Sequence, residues 1–219
     1  MEIEQIAIIG ALILSIVLHE VAHGYAANWL GDPTARLAGR LSPNPLRHID
    51  PLGSVIIPAV LFFTNAGFLF GWAKPVPYNP YNLKTPWGLP QHVGEAMVAA
   101  AGPLTNLLLA VIFSVLIRMA PAFDLSTSFI DIAKYIVYIN ILLALFNMIP
   151  LPPLDGSKIL AAFLPTGLAL RYQALVGQIE RYGILVTFLF IFLFIQVLAQ
   201  PFSSVVFAVF EIFTGLRGF

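Results

Sequence analysis

Four stretches of this chain are long enough and apolar enough to cross a lipid bilayer, and that limits the fold before any motif is read. They lie at about 3–30, 93–117, 130–150 and 183–213; a helix needs about 20 apolar residues to cross a hydrocarbon core about 30 Å thick. Within that core each segment must satisfy its own backbone hydrogen bonds, which selects helices. Composition agrees: 59% of the 219 residues are hydrophobic and only 10% are charged, against about 25% in ordinary soluble domains. The pattern predicts an all-α polytopic membrane protein with roughly four to six transmembrane helices. No repeat, low-complexity tract or polar extramembrane stretch interrupts residues 1–219, so a single membrane-embedded domain is expected.

Composition also removes whole classes of function. Formal net charge is zero and no basic patch exists, so a nucleic-acid partner is not expected. The chain has no cysteine, which excludes disulfides and thiolate metal sites. Any metal must be held by imidazole and carboxylate. The start, Met1-Glu2-Ile3-Glu4-Gln5, lacks the basic residues of a signal peptide, so the first apolar run is expected to stay as a transmembrane helix.

That first run carries His19-Glu20-Val21-Ala22-His23, an HExxH pattern. Residues four apart share one helix face, so the two imidazoles can converge on a single zinc ion. Glu20 sits about 100° round the helix from His19, beside the metal, where a carboxylate can act as general base on zinc-bound water. The bland alternative is a set of buried polar groups that pair with one another. Two histidines and a glutamate in hydrocarbon are costly, however, and usually mark function.

Gly31-Asp32-Pro33 ends the first helix. A polar, proline-rich connection follows to Pro51, in which His48 reads as a solvated loop histidine outside any site. Leu52 to Trp72 is apolar but holds Pro58, Gly67 and Gly71, so it reads either as a full span or as a segment that dips in and returns. Charge separates the two. Five Lys/Arg lie between Arg36 and Lys84, and three between Lys158 and Arg181; both groups favour the cytoplasmic side. A re-entrant 52–72 puts the C-terminal ends of the first helix and of the 130–150 helix on that side together. A complete crossing would separate them. Pro103 in the 93–117 run is expected to break its backbone ladder, and Arg118 to Ser128 reads as a short polar turn.

A catalytic zinc takes three protein ligands and keeps an open position. Asp155, held in an irregular segment after Pro150, Pro152 and Pro153, is the best third candidate; Glu95, His92, Asp50 and Glu180 are weaker ones. Asn106 is an amide in hydrocarbon, an interhelical hydrogen bond on the plainer reading and a substrate or oxyanion donor on the functional one. A metal or proton transporter using the same His/Glu/Asp cluster is the alternative function, but transporters usually show internal repeats.

The HExxH helix, together with Asn147-Met148-Ile149-Pro150-Leu151-Pro152-Pro153-Leu154-Asp155-Gly156, Ala101-Gly102-Pro103-Leu104-Thr105-Asn106 and Gly71-Trp72-Ala73-Lys74-Pro75-Val76-Pro77, resembles the site-2 proteases, which are intramembrane zinc metalloproteases. The resemblance covers almost the whole chain and suggests the minimal form, without PDZ or nucleotide-sensing domains. It implies one Zn2+ held by His19, His23 and Asp155, Glu20 as general base, and assistance to substrate or oxyanion from Asn106 and Asn147. It also implies a transmembrane protein as substrate. The expected location is a prokaryotic cell membrane, with the active site nearer the cytoplasmic face. Leu52 to Tyr81 is the candidate for gating, or for pairing with an extended substrate.

Overall fold

The computed structural model describes residues 2–65 and 71–217. Its helices are α1 (Glu2–Trp29), α2 (Thr34–Leu37), α3 (Ile57–Phe63), α4 (Gln91–Phe123), α5 (Thr127–Asn147), α6 (Asp155–Ala162), α7 (Thr166–Glu180), α8 (Ile184–Leu193) and α9 (Ala199–Thr214). Among the described residues there is no strand, and four helical runs are long and apolar enough to span a membrane: Gln5–Trp29, Gln91–Phe123, Thr127–Asn147 and Phe188–Thr214. The last joins α8 to α9 through a π-helical stretch, Phe194–Leu198, so the C-terminal apolar residues continue one run.

The centre is an apolar cluster of mixed size, with an alanine from each of α4 and α5 among the larger side chains. Ala110 and Ile117 of α4 meet Ala133, Val137 and Ile141 of α5, with Val206 and Phe210 of α9 closing the cluster. Pro103 and Pro121 both lie inside α4, which runs through them. A proline removes one ladder bond, and neighbouring helices make that loss tolerable in a membrane bundle. The turn expected at Arg118–Ser128 therefore shrinks to a few residues, with Asp124 in the left-handed region (φ 49°) and Ser126 capping α5. Arg118 belongs to α4, where its guanidinium donates to Ile212 O and Phe213 O at the end of α9 (both 2.7 Å).

The apolar segment after α1 turns back. Pro51–Phe63 is a short apolar helical run, about 20 Å long at about 1.5 Å per residue, too short to cross about 30 Å. Its two limbs meet at one level: Trp72 N donates to Gly53 O (3.1 Å) and Ser54 Oγ to Trp72 O (2.8 Å). A Cβ at Gly71 would lie 2.6 Å from Gly53 O, so the crossing needs glycine there. The tip, 66–70 with Gly67, is outside the described residues.

From Gly71 to Asn79 the chain is an extended strap, tied along the C-terminal half of α1. Lys74 N donates to His48 O (2.8 Å) and Lys84 N to Leu30 O (2.7 Å). Arg40 Nη2 donates to Lys74 O (2.7 Å) and Pro75 O (3.3 Å). Asp32, fully buried at the end of α1, accepts from Asn79 N (2.7 Å), Asn82 Nδ2 (2.9 Å) and Thr34 Oγ1 (2.6 Å). Burial alone would raise the Asp32 carboxyl; these donors outweigh it and hold it below its ordinary range. His48 is buried, not solvated: its Nε2 bonds Ser42 O (2.9 Å), because the loop folds back over it. It stands outside the cluster described next.

Candidate active site

α1 places His19 and His23 one turn apart, with Nε2 atoms 3.1 Å from each other and rings edge to face. The three prolines after α5 reverse the chain, and Asp155 arrives as the first residue of α6, not in an irregular segment. The helix begins there because Gly156 lets the backbone pass against the carbonyls of Met148 and Ile149, where a Cβ would collide. Asp155 Oδ2 lies 3.2 Å from His19 Nε2 and 3.4 Å from His23 Nε2.

Donor chemistry tests whether these three atoms fit a metal. His23 Nδ1 bonds Val98 O (2.8 Å) and His19 Nδ1 bonds Asn106 Oδ1 (2.6 Å). Both partners are acceptors, so both Nδ1 atoms carry protons and both Nε2 atoms present lone pairs. Two imidazole lone pairs and a carboxylate oxygen converge with no proton among them, an arrangement that suits a cation. His19, His23 and Asp155 form a group able to hold a metal ion. Bond lengths of about 2.0–2.2 Å from N and O ligands to zinc are compatible with donors this close. Gly102 of α4 makes room for the rings: a Cβ there would lie 2.5 Å from His23 Nε2 and 2.6 Å from His19 Nε2.

Glu20 stands beside this cluster and is aimed from the strap. Its Oε2 accepts from Val76 N (2.9 Å). Val76 lies between Pro75 and Pro77, which have no N–H, so it is the one main-chain donor of that tripeptide. A cavity of about 490 Å³ opens beside His19 and Glu20, walled by Ile16, Trp72, Pro75, Leu143, Phe146 and Phe190 among others. A smaller one of about 220 Å³, which also touches His19 and Glu20, includes Tyr78, Asp155 and Lys158. Lys158 Nζ is 5.4 Å from the Tyr78 ring centre. Burial lowers its affinity for a proton, but Tyr78, Asp155 and Glu180 more than offset this, so it is a cation.

Asn147 lines both cavities. Its Nδ2 is spent on Leu143 O (3.0 Å) within α5. Asn106 is completely buried behind His19, bonded to it and to Asn140, so its amide is engaged away from the cavities. The weaker ligand candidates lie elsewhere. His92, Glu95 and Glu180 line a separate cavity of about 440 Å³, and Asp50 caps Leu52 N and Gly53 N. Sequence reasoning missed Asp32 and Arg40, which hold the strap, and Ser15 and Asn140. The last two carried a usable signal, as polar side chains inside apolar spans.

Similarity to known proteins identifies the family. Residues 116–195 match the model of peptidase family M50. YwhC of Bacillus subtilis, named as a zinc metalloprotease, is 37% identical over 195 residues, covering 86% of this chain and 80% of YwhC. Rip2 of Mycolicibacterium smegmatis, named likewise, is 31% identical over 69% of this chain and 54% of its own length. The zinc metalloprotease MJ0392 of Methanocaldococcus jannaschii is 24% identical over 70% of this chain and 33% of its own. No solved structure matches. With YwhC matched over most of both chains, and four helices fit to span a bilayer, the chain belongs to peptidase family M50, the site-2 proteases, and is an integral membrane zinc metalloprotease.

Proposed function

We propose that this protein hydrolyses a peptide bond within or near the transmembrane segment of a membrane-protein substrate, with zinc held by His19, His23 and Asp155 and Glu20 as general base. The observation that carries the reading is the convergence of three proton-free donor atoms, 3.1–3.4 Å apart, next to a carboxylate that lines the same cavities. When bound, zinc supplies Lewis acidity that lowers the pKa of a water and polarises a carbonyl. The chain's own groups do the rest. His19 and His23 keep their Nε2 lone pairs directed inward because Asn106 and Val98 hold the Nδ1 protons. Glu20, with one oxygen fixed by Val76 N–H, takes the water proton on the other and returns it to the leaving amine.

The larger cavity supports the substrate class. It is bordered by the strap and by α1, α5 and α8, whose Ile16, Leu143, Phe146, Phe190 and Ile191 make most of its helical wall apolar around His19, Glu20 and Asn147. A substrate helix must unwind before cleavage, because its carbonyls are tied in its own ladder. The extended strap, with the re-entrant segment before it, supports a role in gating or in pairing with that unwound peptide. Its position in the cavity lining supports Asn147 as a polar group that meets this peptide. The positive residues of 36–84 and 158–181 support a site nearer the cytoplasmic face. The bacterial and archaeal relatives support a prokaryotic cell membrane. Residues 1–219 act as one membrane domain in this reading.

Glu20→Gln tests it. The purified variant should keep its zinc by metal analysis and lose about 10²–10⁴-fold in cleavage of a model transmembrane peptide. Undiminished cleavage would remove Glu20 from the mechanism.

A further inference from the structure

Behind His19 three helices each contribute one buried polar side chain: Ser15 from α1, Asn106 from α4 and Asn140 from α5. Both asparagines are fully enclosed, so each amide has to be satisfied by its neighbours. Asn140 Nδ2 donates to Ile136 O and to Ser15 Oγ (both 2.9 Å). A main-chain carbonyl only accepts, so this contact fixes which end of the Asn140 amide faces which way. Asn140 Oδ1 is then left to accept from Asn106 Nδ2 (2.8 Å). That in turn directs Asn106 Oδ1 at His19 Nδ1 (2.6 Å). Without Asn140, Asn106 Nδ2 keeps only a long contact to Ser15 O (3.4 Å), and its amide is free to reverse.

We infer that Asn140, seated by Ser15 and Ile136 O, is a positioning residue that sets the tautomer of His19 from two side chains away. Polarity runs in one direction, from the Ile136 carbonyl through two amides to the imidazole, and ends with a bare Nε2. A reversed Asn106 would offer an N–H to Nδ1, move the ring proton to Nε2 and block metal binding there. The inference rests on His19 being a zinc ligand.

The test compares zinc affinity, by chelator competition in detergent micelles, for the wild type, Asn140→Leu, Asn140→Asp and His19→Ala. Asn140→Leu should weaken zinc about 10–100-fold, the range found when a partner of a metal-bound histidine is lost. Asn140→Asp is the rescue, since a carboxyl oxygen still accepts from Asn106 Nδ2 and keeps that amide's direction; it should bind zinc more tightly than Asn140→Leu. The visible spectrum of the cobalt-substituted protein should shift in Asn140→Leu and not in Asn140→Asp. An Asn140→Leu protein that melts like wild type when metal-free, yet binds zinc and cobalt as wild type does, overturns the inference. If Asn140→Leu does not fold, nitrogen NMR of His19 in the metal-free wild type decides: a proton on Nδ1 supports it and a proton on Nε2 overturns it. Equal zinc binding by wild type and His19→Ala would instead sink the ligand reading beneath it.

Discussion

The two sides of the His19–His23–Asp155 cluster are built differently. His19 and His23 lean on α4, where Gly102 is tight against the rings and Val98 and Asn106 hold the two Nδ1 atoms. Helix backbone and buried side chains fix that wall. Glu20 faces the strap, a proline-rich extended segment held by hydrogen bonds to Asp32, Arg40 and the His48 loop. Packed helices give the two histidines little freedom. A strap fastened at a few polar points can part without unfolding the bundle. The contrast separates metal retention, which depends on α4, from readiness of the base, which depends on the strap.

The largest expected effect comes from the rigid wall. Gly102→Ala puts a methyl 2.5–2.6 Å from both ring nitrogens; zinc content should fall to background and cleavage with it, by 100-fold or more (about 3 kcal/mol at about 1.4 kcal/mol per decade). Retained zinc would show that α4 yields and would blur the contrast. Val76→Pro should do the reverse. It removes the N–H that Glu20 accepts, so kcat should drop about 10–100-fold, within the range of acid–base contributions, while metal analysis stays at wild type. Loss of zinc in this variant would break the separation.

The smallest effect should come from Asp32. Asp32→Asn weakens the grip on Asn79 and Asn82 and should make the strap more accessible to limited proteolysis, with zinc affinity unchanged. The same bond gives a pH dependence. The carboxyl is held below its ordinary value of about 3.9, so its contribution is complete above that pH and is lost as pH falls through the lower, folded-state value. Strap protection measured between about pH 5 and pH 2 should therefore decline in wild type and be flat in Asp32→Asn.

Much of this was legible in the sequence because it depends on local spacing or on counting crossings. The helical periodicity put His19 and His23 on one face, and charge parity placed the aspartate of the LDG segment on their side of the membrane. Proline and glycine in 52–72 pointed to a segment that returns on itself, and the Trp72–Gly53 bond brings its two ends together. Asn106 bonds between helices, as its plainer reading had it. What stayed hidden depends on distant partners. Nothing near Asp32 announces Asn79, and nothing near His48 announces that Ser42 folds over it. α4 ran past Arg118 because that side chain finds the end of α9, a partner 94 residues away.

The Pro-Val-Pro tripeptide has one last consequence. The carboxylate proposed as general base is steered by the same ribbon of chain that lines the larger cavity. A guest that lifts the ribbon lets go of that carboxylate in the same motion, and one that slips beneath finds it still tethered. On the proposed mechanism, entry past the ribbon and the hold on the base are thus coupled through the one peptide hydrogen that two flanking imino acids leave available.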